Sequence, residues 1–202
     1  MKVLCKLAAV LVTLGSTQLA LAQSSLGKPM DVVLSVERAF GFYTGEAERE
    51  RPGPDEEWDS QGFALGWSHS YHPFPVFVPR FGFDIFVIED LSVGTGFGFV
   101  SQDFDPGDGR GGLIFAPRVG YFIDFSEHFG FWPRGGFTIY DLDDPDQSQA
   151  LLTLEGYFTF APREGFGFQF GPVIDLGITG EFDDDDYSEW SIGIAVGLFG
   201  WL

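Results

Sequence analysis

The chain has 202 residues, enough for one domain, and carries 11 basic against 30 acidic side chains, a formal net charge of −19. A surface of that sign repels nucleic acid, which excludes a DNA- or RNA-binding role. Its 28 glycines and 24 phenylalanines come with no apolar run of helical period beyond the first two dozen residues, so the rest should be nearly all strand.

The N-terminus reads as an export signal. Lys2 and Lys6 form a short basic start, an apolar run follows from Leu7 to Leu14, and Ala20-Leu21-Ala22 supplies the small residues of a cleavage site. The run is too short to span a bilayer as a helix, which takes about 20 residues. Residues 1–22 are therefore expected to be a signal peptide and 23–202 the mature domain. Cys5 is the single cysteine and falls inside the signal, so the mature domain has no disulfide, thiol nucleophile or cysteine metal site.

Period-two alternation then recurs along the chain. Over 32–43, Val32, Leu34, Val36, Phe40 and Phe42 oppose Ser35, Glu37, Ala39 and Gly41. Over 80–88, Phe81, Phe83, Ile85 and Val87 oppose Arg80, Gly82 and Asp84; over 91–101, Leu91, Val93, Phe97 and Phe99 oppose Ser92, Gly94, Gly96 and Gly98. In 113–125 the apolar set ends on Tyr121, Ile123 and Phe125, against Arg118, Gly120 and Asp124. In 129–140 Phe129, Phe131, Phe137 and Ile139 oppose Arg134, Gly136 and Thr138. The runs 150–160, 166–179 and 190–202 repeat the pattern, with Glu155 and Asp175 on the polar side.

The chemistry of the two faces decides the solvent. A soluble sandwich alternates too, but its polar face is rich in Lys, Glu and Thr. Here the polar face is mostly glycine and small residues with about one charge per strand, which suits the crowded inside of a narrow barrel. The other face is large, apolar and aromatic, far beyond the patch a soluble monomer tolerates. The expected fold is all-β, a closed antiparallel transmembrane β-barrel of eight strands.

Connections support that count. Four are long and acidic: 44–59, 102–111, 141–149 and 180–189, the last containing Asp183 to Asp186. Three are short: Glu89-Asp90, Ser126-Glu127-His128 and Pro162-Arg163-Glu164-Gly165. Transmembrane barrels have short turns on one side and long loops on the other. Long and short alternate if 44–79 is one long first outer loop. The strand-like run 62–71 then belongs to that loop as a hairpin above the membrane, and His72-Pro73-Phe74-Pro75 ends it.

Across essentially all of 23–202 the chain resembles the small outer-membrane β-barrel proteins of the OmpA-membrane-domain and OmpX type. The resemblance is architectural and departs at the C-terminus, where Phe199-Gly200-Trp201-Leu202 ends on leucine and not on the usual aromatic. It implies an outer-membrane location in a Gram-negative envelope. The implied partners are outer-membrane lipid, lipopolysaccharide and, during biogenesis, the assembly machinery. A monomer without a cofactor is expected.

A local repeat carries the interior charge. Pro-Arg-x-Gly-aromatic occurs at 79–83, 117–121, 133–137 and 162–166. The last lies in a turn. The first three place an arginine inward beside a glycine that leaves room for the guanidinium. The expected lumen network is Glu37, Arg80, Asp84, Arg118, Asp124, Arg134, Glu155 and Asp175, because buried charges are tolerated only when paired and hydrogen-bonded.

Other chemistry is sparse. Ser68-His69-Ser70-Tyr71-His72 gathers hydroxyls and imidazoles, but a triad would need a serine, a base and an orienting carboxylate in contact, and catalysis is not expected there. The stretch Asp103 to Gly109 departs from the calcium-loop spacing, and a metal site is not assigned. The expected function is non-enzymatic, in envelope integrity or surface interaction. The alternatives are a small porin and, further off, a lipid-modifying enzyme.

Overall fold

The computed structural model describes residues 26–50, 56–65, 78–102, 110–143, 147–183 and 185–202. The expected signal peptide, the Ser68–His72 cluster and the Asp103–Gly109 stretch lie outside the described residues.

Ten strands make eight staves of one closed antiparallel sheet. They are β1 (Val32–Arg49), β2 (Glu56–Leu65), β3 (Arg80–Ile88), β4 (Leu91–Gln102), β5 (Arg110–Tyr121), β6 (Ile123–Ser126), β7 (Phe129–Leu142), β8 (Gln147–Arg163), β9 (Phe166–Phe182) and β10 (Asp185–Trp201). Each stave pairs with its successor around the ring, and β10 closes on β1 from Val33↔Trp201 to Arg49↔Tyr187. Two staves are composite. β5 and β6 run on as one stave broken at Phe122, both pairing with β7. β3 and β2 share one edge of β1, with β3 on Val32–Glu37 and β2 on Phe40–Arg49.

Alternation produces the expected two faces. Leu34, Phe42, Phe97, Leu113, Val119, Phe137, Leu154, Phe170 and Ile194 all point outward and exposed. The aromatics touch one another along the wall: Phe129–Phe158 and Phe158–Phe170 have ring centroids 6.0 and 5.8 Å apart. Such a surface is stable only against lipid, and ring closure leaves the backbone groups of the belt paired.

The strands are longer than the alternation of apolar residues suggests. β1 continues through Gly45, Ala47 and Arg49 pointing inward, with Thr44, Glu46 and Glu48 pointing outward. β7 runs to Leu142, β8 begins at Gln147, β9 ends at Phe182 and β10 starts at Asp185, so 141–149 and 180–189 are chiefly strand. The outward side turns polar where the wall rises above the lipid, and the inward side keeps its phase. The expected loop 44–79 accordingly opens as a hairpin, β1 against β2, and that hairpin uses 40–49 and 56–65. Residues 66–71 of the anticipated hairpin lie outside the described residues.

The interior is layered. At the short-turn end Leu26, Val33, Phe86, Phe122, Trp132, Phe199 and Trp201 form an apolar floor. Phe86 stacks on Trp132 at 5.6 Å, and Trp132 Nε1 donates to Ser92 Oγ at 3.1 Å. The C-terminal Phe199 and Trp201 thus point inward, whereas Leu202 is exposed. Toward the long-loop end, Ile114, Tyr140, Leu142 and Leu151 form a second apolar layer, with Tyr43 and Val78 against it.

Candidate functional site: the charged layer of the lumen

Between the two apolar layers lies a sheet of buried charge. Arg118 is its centre. Its Nη1 and Nη2 donate to Glu37 Oε2 and Oε1 at 2.5 and 2.8 Å, while Nε and Nη2 donate to Asp84 Oδ1 and Oδ2 at 2.9 and 2.5 Å. One guanidinium therefore serves two carboxylates with its planar fork, the geometry that makes arginine stronger than lysine here. Arg134 Nη1 donates to Glu37 Oε1 at 2.7 Å, its Nη2 lies 2.8 Å from Glu155 Oε2, and its guanidinium sits 4.7 Å from the Tyr157 ring centroid. Arg80 Nη1 donates to Thr138 Oγ1 at 3.0 Å; Thr138 meets Thr153 at 2.7 Å, and Thr153 donates to Asp175 Oδ1 at 2.6 Å.

A fourth arginine of the layer is not placed there by strict alternation. Strict alternation between Val36 and Phe40 puts Arg38 on the lipid face, yet it is buried in the lumen. Register explains it: Val36 pairs with Leu198 but Phe40 with Val196, so β1 carries two extra residues there, and Arg38 takes a positive φ of 51°. The bulge turns its guanidinium inward, where Nη1 donates to Asp175 Oδ2 at 3.0 Å and Nη2 to Glu155 Oε1 at 3.1 Å. A signal was available, since an arginine at the bilayer midplane costs about 2–4 kcal/mol and therefore flags a break in phase.

Asp124 requires the opposite correction. It is exposed on β6 and lies outside the cluster. Phe122 interrupts the stave and fills the apolar floor, which leaves the following residues on the solvent-facing rim. There Asp124 and Glu89, after burial itself, help raise the Asp90 carboxyl above its ordinary range. Arg163, expected in a turn, is exposed.

With these two changes the layer balances. Arg38, Arg80, Arg118 and Arg134 face Glu37, Asp84, Glu155 and Asp175, all eight buried. Glycines make the room. A Cβ on Gly82 would stand 2.7 Å from both Arg118 Nη2 and Glu37 Oε1, and one on Gly120 would stand 2.8 Å from Arg134 Cγ. A cavity of about 10 Å³ beside Arg80, Arg118, Arg134, Thr153 and Glu155 has room for roughly one water.

No protein-family model and no curated protein sequence matches this chain. Solved structures do. It is similar to Neisserial surface protein A at a TM-score of 0.50 and 11% identity, covering 84% of this chain and 96% of that one. The N-terminal β-barrel domain of Pseudomonas aeruginosa OprF matches at 0.47 and 12%, covering 85% and 98%. The outer membrane protease OmpT from Escherichia coli matches at 0.47 and 9%, covering 90% and 100%. The protein has the fold of the small outer-membrane β-barrels: a closed, antiparallel, eight-strand barrel with an apolar belt. That fold hosts several activities, so function has to be argued from the residues.

Proposed function

We propose that this is a non-conducting, non-enzymatic outer-membrane barrel, exported by a cleaved signal over residues 1–22, that serves envelope integrity or surface interaction as a monomer among lipid and lipopolysaccharide. Delivery to the membrane would pass through the outer-membrane assembly machinery. The observation that carries the reading is the neutral, hydrogen-bonded charge layer, closed by apolar residues on both sides. An eight-strand ring is only wide enough for side chains, and here the side chains are present and paired. A pore for ions needs binding weak enough to release them; Arg38, Arg118 and Arg134 bonded to Glu37, Asp84, Glu155 and Asp175, with Arg80 held on Thr138, leave no such site. The contact surface is instead the polar wall above the belt, where Glu46, Glu48, Glu57 and Asp59 point outward on β1 and β2.

The test is a planar bilayer. The purified barrel should give no steady single-channel steps at neutral pH. Stable steps of porin size would overturn the reading in favour of a pore.

A further inference from the structure

One buried carboxyl stands apart from the balanced layer. Glu189 on β10 is buried, and Tyr187 Oη donates to its Oε2 at 2.8 Å. Tyr140 is its second phenolic partner. With its amide nitrogen turned toward the carboxyl, Gln149 donates to Glu189 Oε1 at 3.2 Å and to Tyr140 Oη at 2.8 Å, while its oxygen accepts the Glu189 backbone N–H at 3.1 Å. Gln147 Nε2 donates to Tyr140 Oη at 3.0 Å and closes the ring. Every one of these partners is neutral.

The charged groups around it are committed elsewhere. Asp175 on β9 is the charged neighbour below, an anion already bonded to Arg38 and Thr153. On β1, Ala47 lies opposite Glu189, and Arg49 beyond it bonds Asp185 at 2.7 Å and lies 3.6 Å from Asp183. Among the described residues of β7 and β8, Tyr140, Gln147 and Gln149 are the polar groups of this layer. Glu46, Glu48 and Ser188 face outward at this height, but so do Leu176, Ile178 and Trp190, and Trp190 Nε1 donates to Glu46 Oε2 at 3.1 Å, so the layer lies at the upper edge of the lipid belt. A carboxylate buried beside another anion, with no cation bonded to it among the described residues, is costly to keep ionised.

We propose that Glu189 is a proton-operated latch at the long-loop mouth of the lumen, closing the upper layer when protonated and loosening it when ionised. Burial among neutral partners, with the Asp175 anion below, disfavours the ionised form of the carboxyl. In the neutral form, the acid, two phenols and two amides make an uncharged layer beside Ile114 and Leu142 and above Leu151. Loss of the proton leaves a negative charge with only dipoles to meet it, and water entering from the mouth is the available solvation. The charged layer and the apolar floor below do not take part, so the barrel stays closed and the latch governs hydration of its upper end alone.

The test is amide protection, corrected for intrinsic exchange, in the full barrel refolded into lipid vesicles from pH 5 to 10. Protection at Ala47 and Tyr187 should be flat at low pH. Above the carboxyl's titration point it should fall by about tenfold per pH unit, while Val33 and Trp201 at the floor stay constant. In Glu189→Gln the fall should vanish. Equal profiles in wild type and Glu189→Gln, or a flat wild-type profile, would overturn the proposal. Tyr187→Phe covers the case in which that variant does not fold. It removes a donor to the ionised form, so the fall should move to higher pH; an unmoved fall would equally overturn the latch.

Discussion

Replacing Arg118 with methionine isolates the charge layer from simple packing, because the new side chain retains most of the volume. The wild-type guanidinium makes four hydrogen bonds to two buried carboxylates. After substitution Glu37 keeps Arg134 at 2.7 Å and Ser35 at 2.8 Å, but for Asp84 the remaining ion pair is Arg134 at 3.8 Å. An uncompensated buried charge of this kind costs about 3–5 kcal/mol. Arg118→Met/Asp84→Asn removes one cation and one anion together, restores neutrality at three against three, and should be less destabilised than Arg118→Met alone. The assay is urea unfolding from lipid vesicles, followed by tryptophan fluorescence and gel mobility. Arg163→Met, at the exposed end of β8, is the control and should lie within about 0.5 kcal/mol of wild type. If Arg118→Met and Arg163→Met unfold at the same urea concentration, the charge layer contributes nothing and the reasoning fails.

Three further outcomes test other parts of the structure. Gly136→Ala would drive a Cβ into the Pro117 carbonyl and to 2.7 Å from Arg118 Cα, and should cost about 1–3 kcal/mol; at Gly135 the nearest atom is Leu154 Cδ2 at 3.5 Å, so Gly135→Ala should be close to neutral. Leu154→Arg places a charge on the exposed lipid face and should lose about 2–4 kcal/mol in vesicle refolding, whereas refolding as well as wild type would show that face to be misassigned. Unboiled protein should migrate differently from boiled protein on a detergent gel, since closure leaves no open edge in the belt for detergent to attack.

Much of this was legible in the residues because a barrel wall obeys a two-residue period with opposite solvents on its sides. Seven of the eight charges expected in the lumen are buried there, each on the inward phase of its strand. The two exceptions have different causes: Arg38 sits in the Val36/Phe40 bulge, where alternation fails, whereas Asp124 keeps its register across Phe122 but lies beyond the apolar floor, at the exposed rim. Strand ends were misjudged for a different reason. The reading ended each strand where the outward side became charged, but that change marks the edge of the lipid; hydrogen bonding between strands continues above it, as Arg49↔Tyr187 and Gln147↔Phe182 demonstrate. Glu189 fell into that misjudged zone and read as one more acid of a solvated rim.

These corrections bear on how the chain reconciles a net charge of −19 with a lipid-embedded wall. From the inward residues anticipated in the sequence, three cations would face five anions, and a lumen with that surplus would have to hold water or counterions. Adding Arg38 and removing Asp124 leaves four against four, so the central layer needs neither. The negative excess is thereby displaced to the rims and to the polar wall above the belt, where water screens it at little cost. Interior neutrality and an acidic exterior are thus two results of one arrangement. The bulge at Arg38 supplies the fourth cation that this neutrality requires.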